Sequence, residues 1–211
     1  MLKKLSMLIL ILAMMVPTLA LAQDDDDAEI PEGYLEAATE EEEFTFLLPE
    51  DWIIEQEFGQ LIVFSNESIQ EKYDEDSVEV EDGELLGQVS FISSEFLGLL
   101  DVEAGDLEGI AMAFSEFFTG EGEDDEFEMG ELFEVTDEDD EDVIRYVVLP
   151  LSTGMWDGGL FVRQGIDGAG EPLYMLMIAA GPSGEFETTQ ETLEVFFESI
   201  ETPLTAAELE G

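Results

Sequence analysis

Apolar residues recur along the chain at two spacings, and each spacing predicts a different element. Alternation over four to eight residues marks strands. Such alternation, or a short apolar run bounded by turn residues, predicts strands at 44–48, 52–55, 61–64, 86–93, 131–136, 143–149, 160–163 and 173–179. A spacing of three and four marks two helices. The first carries Leu107, Ile110, Ala111, Phe114, Phe117 and Phe118 on one stripe, with Asp106 or Asp101 as its cap and Gly120 as its stop. The second follows Gly181-Pro182-Ser183, carries Phe186, Leu193, Phe196, Phe197 and Ile200, and ends before Pro203. Between these elements, 49–51 reads as a turn and 72–83 as an acidic loop or weak edge strand around Val78 and Val80. A strand group, a helix, an antiparallel meander and a closing helix predict an α+β domain over residues 44–202. Each helix has a single apolar stripe, so each is expected to cover sheet rather than sit inside a bundle.

The ends add a compartment. Lys3 and Lys4 precede an almost unbroken apolar run from Leu5 to Leu19, and Ala20-Leu21-Ala22 supplies the small residues a signal peptidase reads. Residues 1–22 are therefore expected to be a signal peptide cleaved after Ala22, giving a secreted or periplasmic protein with no stable membrane span after processing. Residues 23–43 hold the acidic runs Asp24–Asp27 and Glu40–Glu43 and are expected to form a disordered spacer, with 203–211 as a short C-terminal tail.

Charge changes the picture more than any motif does. The chain has 55 Asp and Glu, 5 Lys and Arg, no His and no Cys. Beyond residue 22 only Lys72, Arg145 and Arg163 remain positive. Yet 45% of residues are hydrophobic and 15 are Phe, too many for an unfolded polyanion, so the acid must coat a folded core. Without cysteine, that core owes nothing to disulfides.

The phrase Phe44-Thr45-Phe46-Leu47-Leu48-Pro49-Glu50-Asp51-Trp52, the later Val63-Phe64-Ser65, and the closing helix with Phe196, Phe197 and Ile200 resemble the PsbP-like superfamily. That fold is shared with the Ran-release factor and with exported bacterial proteins. The likeness spans residues 44–202. It implies an antiparallel sheet flanked by helices, an α-β-α sandwich, and non-enzymatic roles such as docking on a larger complex. No functional residue of the family maps onto a position here.

Candidate chemistries are few. The absence of His and Cys excludes Ser–His and Cys–His nucleophiles and leaves transition metals without their usual ligands. A carboxylate-based hydrolase stays open as an alternative, although acid pairs arise by chance on so acidic a surface. Calcium could associate weakly with 123–126 or 137–142. The EF-hand spacing fails there, because Asp142 stands where glycine is needed and Val148 where the bidentate glutamate belongs. No cofactor is implied. Nucleic acid is excluded by the field of the chain. Gly165–Gly170 resembles a phosphate loop only superficially, since Asp167 lies inside it, and it reads as a hairpin turn. Arg145 and Arg163 sit in strands and are expected to pair with carboxylates across the sheet or at its edge. Trp156, between glycine-rich turns, is the candidate contact residue. The resulting expectation is an exported acidic binding or accessory module for an unknown protein or surface partner, with weak divalent cations possible.

Overall fold

The computed structural model describes residues 30–39, 43–57, 59–74, 79–118, 128–137, 143–205 and 209. The signal segment, the acidic run 24–27, Gly120, the loop 121–126 and residues 138–142 lie outside these, as do the side chains of Phe117 and Phe118. An eight-stranded antiparallel sheet forms the centre. Its strands are β3 (Ile53–Glu57), β4 (Gln60–Phe64), β5 (Leu86–Ser93), β6 (Glu128–Met129), β7 (Phe133–Thr136), β8 (Ile144–Ser152), β9 (Trp156–Ile166) and β10 (Pro172–Pro182). Their order is β3-β4-β5-β10-β9-β8, with β6 and β7 both paired to the outer edge of β8. A separate hairpin, β1 (Tyr34–Ala38) and β2 (Thr45–Pro49), lies over one face.

Both faces of the sheet are buried, which is why its central strands are apolar at successive positions rather than alternating with polar ones. Along β10, Leu173, Met175, Met177 and Ala179 point to one side and Tyr174, Leu176 and Ala180 to the other. The first side packs against the β1–β2 hairpin and α4 (Phe186–Ser199), joining Phe44, Phe46 and Leu48 to Leu193, Phe196, Phe197 and Ile200. The second packs against α1 (Glu67–Asp74), α2 (Ser94–Leu99) and α3 (Leu107–Phe118), through Ile69, Leu97, Ile110 and Ala111. Helices on both faces of an antiparallel sheet make the expected α+β sandwich. The described part of the α3 stripe, Leu107, Ile110, Ala111 and Phe114, faces the sheet, as does the α4 stripe, and Asp106 caps α3 by accepting from the Gly109 N–H at 2.8 Å.

Four features differ from the sequence-based expectation. The ordered domain begins before Phe44, because Tyr34–Ala38 pairs with β2 in full register from Tyr34↔Pro49 to Ala38↔Thr45. The turn between them is closed by the Thr39 hydroxyl, which accepts from the Glu43 and Phe44 N–H groups at 3.1 Å each. Two helices stand where the spacing predicts none: α1, whose last three residues enter the 72–83 region expected to be loop, is capped by Asn66 accepting from the Ile69 N–H, and α2 is capped in the same way by Ser93. Toward the C-terminus, part of the expected tail is packed: Gly168 donates to the Leu204 carbonyl at 2.8 Å, and Leu209 rests on the α4-side core.

The fourth correction concerns Trp156. It is not on a loop but opens β9, opposite Pro182 of β10, and is only 8% exposed among Leu151, Leu160 and Ala180. The turn is instead Thr153–Met155, with Gly154 at φ +78°. Gly158 and Gly159, which read as turn residues, continue the strand. A Cβ at Gly158 would lie 1.9 Å from the Ala179 carbonyl oxygen, so glycine is there to let two backbones approach. A buried indole at the start of a strand is a packing residue. The contact role expected of Trp156 loses its basis.

Candidate functional site

The three cations beyond residue 22 are all engaged inside the domain. Lys72, near the end of α1, contacts Glu84 at 2.6 Å and Glu81 at 3.0 Å. Arg145 reaches Glu194 at 3.3 Å and also Glu198, both on α4. The partners thus come from the covering helix rather than from the sheet. A register shift explains the reach. Val135 faces Tyr146 while Thr136 faces Ile144, so Arg145 is the extra residue of a β-bulge and turns toward the α4 side with Tyr146. Arg163 donates to the Ile200 carbonyl at 2.7 Å and places its guanidinium 5.5 Å from the Phe197 ring centroid. Burial lowers its pKa to about 10, opposed by the charge of Glu201. Its partner is therefore a backbone carbonyl at the end of α4, where a cation also meets the negative pole of the helix.

Two carboxylates are buried among the described residues, and both are tied into structure. Asp167 accepts from the Ala169 and Glu171 N–H groups at 2.8 and 2.9 Å, which makes Gly165–Gly170 the hairpin turn expected rather than a phosphate cradle. Glu84, 4% exposed, joins the Glu81 N–H and Lys72. Burial pushes its carboxyl up, but the hydrogen bonds from Lys72, Glu81 and Ser68 outweigh this and hold it below the ordinary value. The hydrogen bond to Glu84 in turn raises the Lys72 ammonium.

This pair yields a pH prediction. A carboxyl depressed from 4.5 in the folded state contributes stability that is present above that value and lost as pH falls through the folded one. The raised Lys72 loses its share only as pH rises above 10.5 and through its folded value. Glu84→Gln is expected to melt a few degrees below the wild type at neutral pH. The gap, followed by scanning calorimetry, should close as pH falls from 4.5 through the lower folded-state value. A gap that stays constant into stronger acid would show that the Glu84 charge is not what joins α1 to the 81–85 segment.

With the cations engaged and the buried acids tied down, a concavity on the α3 side of the sheet is the candidate site. It is a groove of ≈ 590 Å³ between the first turn of α3 and the ends of β7, β8 and β9. Its floor is Leu107, Val147, Ile144 and Ile166, and its rim carries Asp106, Glu108 and Glu134. Ile166 is 67% exposed and Ile144 41%, so apolar surface is left uncovered there. Asp106 spends one oxygen on the α3 cap and stays at the rim. Four separated segments of chain build this groove, and no local motif announces it. Among the described residues no cluster of acids has the arrangement of a metal site, and no helix is long and apolar enough to cross a membrane.

The chain is similar in structure to cyanobacterial PsbP (CyanoP) from Synechocystis sp. PCC 6803, at 13% identity and a TM-score of 0.48, covering 87% of this chain and 98% of that one. It is also similar to the Ran-binding protein Mog1p of Saccharomyces cerevisiae, at 10% identity and a TM-score of 0.44, covering 83% and 97%. Both have the PsbP-like fold, the group that the 44–52 phrase resembles. No family model matches the chain, and no curated protein matches it in sequence.

Proposed function

We propose that the protein is an exported, non-enzymatic accessory or binding module that engages a protein partner through the groove between α3 and the ends of β7–β9. The observation that carries this reading is that Ile144 and Ile166, both exposed, line one concavity together rather than standing singly on the surface. Exposed apolar area of that kind favours an interaction site over a solvated face. Export is supported by the 1–22 segment, whose processing would leave a chain beginning at Gln23. A hydrolase would need a carboxyl held in its acid form within a cleft. Glu84 is held the other way, and Asp167 is spent on a turn. The calcium alternative rests on 123–126 and 137–142, of which only Asp137 is a described residue.

The absence of cysteine makes a test direct, because one introduced thiol is unique. Ile166→Cys in the groove and Glu187→Cys on the opposite side of the sheet each receive a benzophenone maleimide. They are then irradiated with extracytoplasmic extract of the encoding organism. A discrete adduct at position 166 and not at 187 is expected. Identical adducts at both positions, or none at 166, would overturn the reading.

A further inference from the structure

We infer that the occupant of the groove is a cationic amphipathic protein segment, with aliphatic side chains flanked by lysine or arginine; this rests on the groove being the working surface. The volume, ≈ 590 Å³, falls in the range of ligand sites, roughly 300–1,000 Å³, but the lining does not suit a small molecule. A small-molecule site encloses its ligand and fixes it with a few converging polar groups. Here two floor residues, Ile144 and Ile166, stand open to solvent, and Gln164 is the one uncharged polar side chain in the lining. An open apolar trough suits side chains presented from a larger body.

Charge then selects among larger bodies. Asp106, Glu108 and Glu134 border the trough. Lys72, Arg145 and Arg163 cannot offset them, because each is already bound to other groups of the domain. Anionic polymers and anionic lipid surfaces are repelled, and so is a second copy of this chain. A segment with basic residues beside its apolar anchors places each cation against a rim carboxylate as the anchors seat. The apolar part is needed as well as the charge. Screening shortens to about 3 Å at molar salt, so steering over distance is lost there while pairs in contact and buried aliphatic groups remain.

The probe is a displayed library of random dodecapeptides, selected on the full-length processed protein and counter-selected on Ile144→Ser/Ile166→Ser. Both substitutions fall on exposed positions, so the fold should survive, and a melting curve checks this. Peptides dependent on the groove are expected to be rich in Lys or Arg around Leu, Ile, Val or Met. One of them, measured by fluorescence anisotropy, should bind about tenfold more weakly to Ile166→Ser. It should also bind more weakly, with a flatter salt dependence, to Glu108→Gln/Glu134→Gln. Leu35→Ser, on the other side of the sheet and 37% exposed in the wild type, should leave it unchanged. Polylysine serves as the charge-only control. Three results overturn the inference: groove-dependent peptides that are neutral or acidic, no groove-dependent peptides at all, or polylysine competing as well as the selected sequence. If any of these occurs while position 166 still gives its discrete adduct, the binding-module reading stands and only the chemistry assigned to the occupant falls.

Discussion

Replacement of Trp156 by alanine is expected to lower the free energy of unfolding by about 3–5 kcal/mol, the usual cost of emptying a large aromatic site. For a domain of this size that is a fall in melting temperature on the order of 10 °C. The indole belongs to the buried cluster that also holds Leu151, Leu160 and Ala180, so its truncation leaves a cavity in the α3-side core. Trp156→Phe should recover much of the loss, since it restores most of the buried apolar area. Thermal melts of the three proteins decide the matter. A melting temperature for Trp156→Ala equal to that of the wild type would show that the side chain carries no packing load.

Trp156 also shows where sequence reasoning reached its limit. Glycines on both sides made the segment read as a loop, because a glycine's use for close backbone approach cannot be told locally from its use in a turn. The distinction lies in Ala179, more than twenty residues away. Elements with strong periodicity were legible: the α3 and α4 stripes, the β8–β10 meander and the Asp167 turn all stand where the spacing put them. Elements held by a partner rather than by their own pattern were not. Strand β1 owes its place to the free edge of β2, and α1 buries only Ile69. The caps Asn66 and Ser93 were the available signals for α1 and α2. Arg145 was rightly read as paired, but its bulge, and so its partner element, depends on the register of β7. The groove was illegible because Leu107, Ile144 and Ile166 are ordinary element residues until the fold brings them together.

The second large effect expected is of salt on folding. Melting temperature should rise on the order of 10 °C between dilute buffer and molar sodium chloride, reflecting a few kcal/mol of self-repulsion removed. The chain sets 55 acids against 5 cations, and the three cations beyond residue 22 are consumed by contacts within the domain. Carboxylates on neighbouring surface positions lie within the ~8 Å screening length of physiological salt and largely beyond the ~3 Å of molar salt. Potassium glutamate should act similarly at equal ionic strength, and a trace of chelator should change nothing. A flat melting temperature across the series would sink the expectation. A rise confined to micromolar calcium would instead reveal a specific cation site.

The two ends of the domain are also clasped together. Thr45 and Glu201 exchange backbone hydrogen bonds at 2.9 and 2.8 Å, the Leu47 N–H donates to the Ser199 hydroxyl, and the Thr202 hydroxyl donates to the Glu43 carbonyl. Phe46 meets Phe196 edge-on in the same place. A chain made or threaded from its N-terminus therefore carries its first hairpin, with Phe44, Phe46 and Leu48, as unspent adhesive until residues 193–202 arrive. Closure of that half of the core must wait for nearly the whole polypeptide, since its contacts join the most distant parts of the sequence. The acid along its length keeps neighbouring unfinished chains apart while it waits.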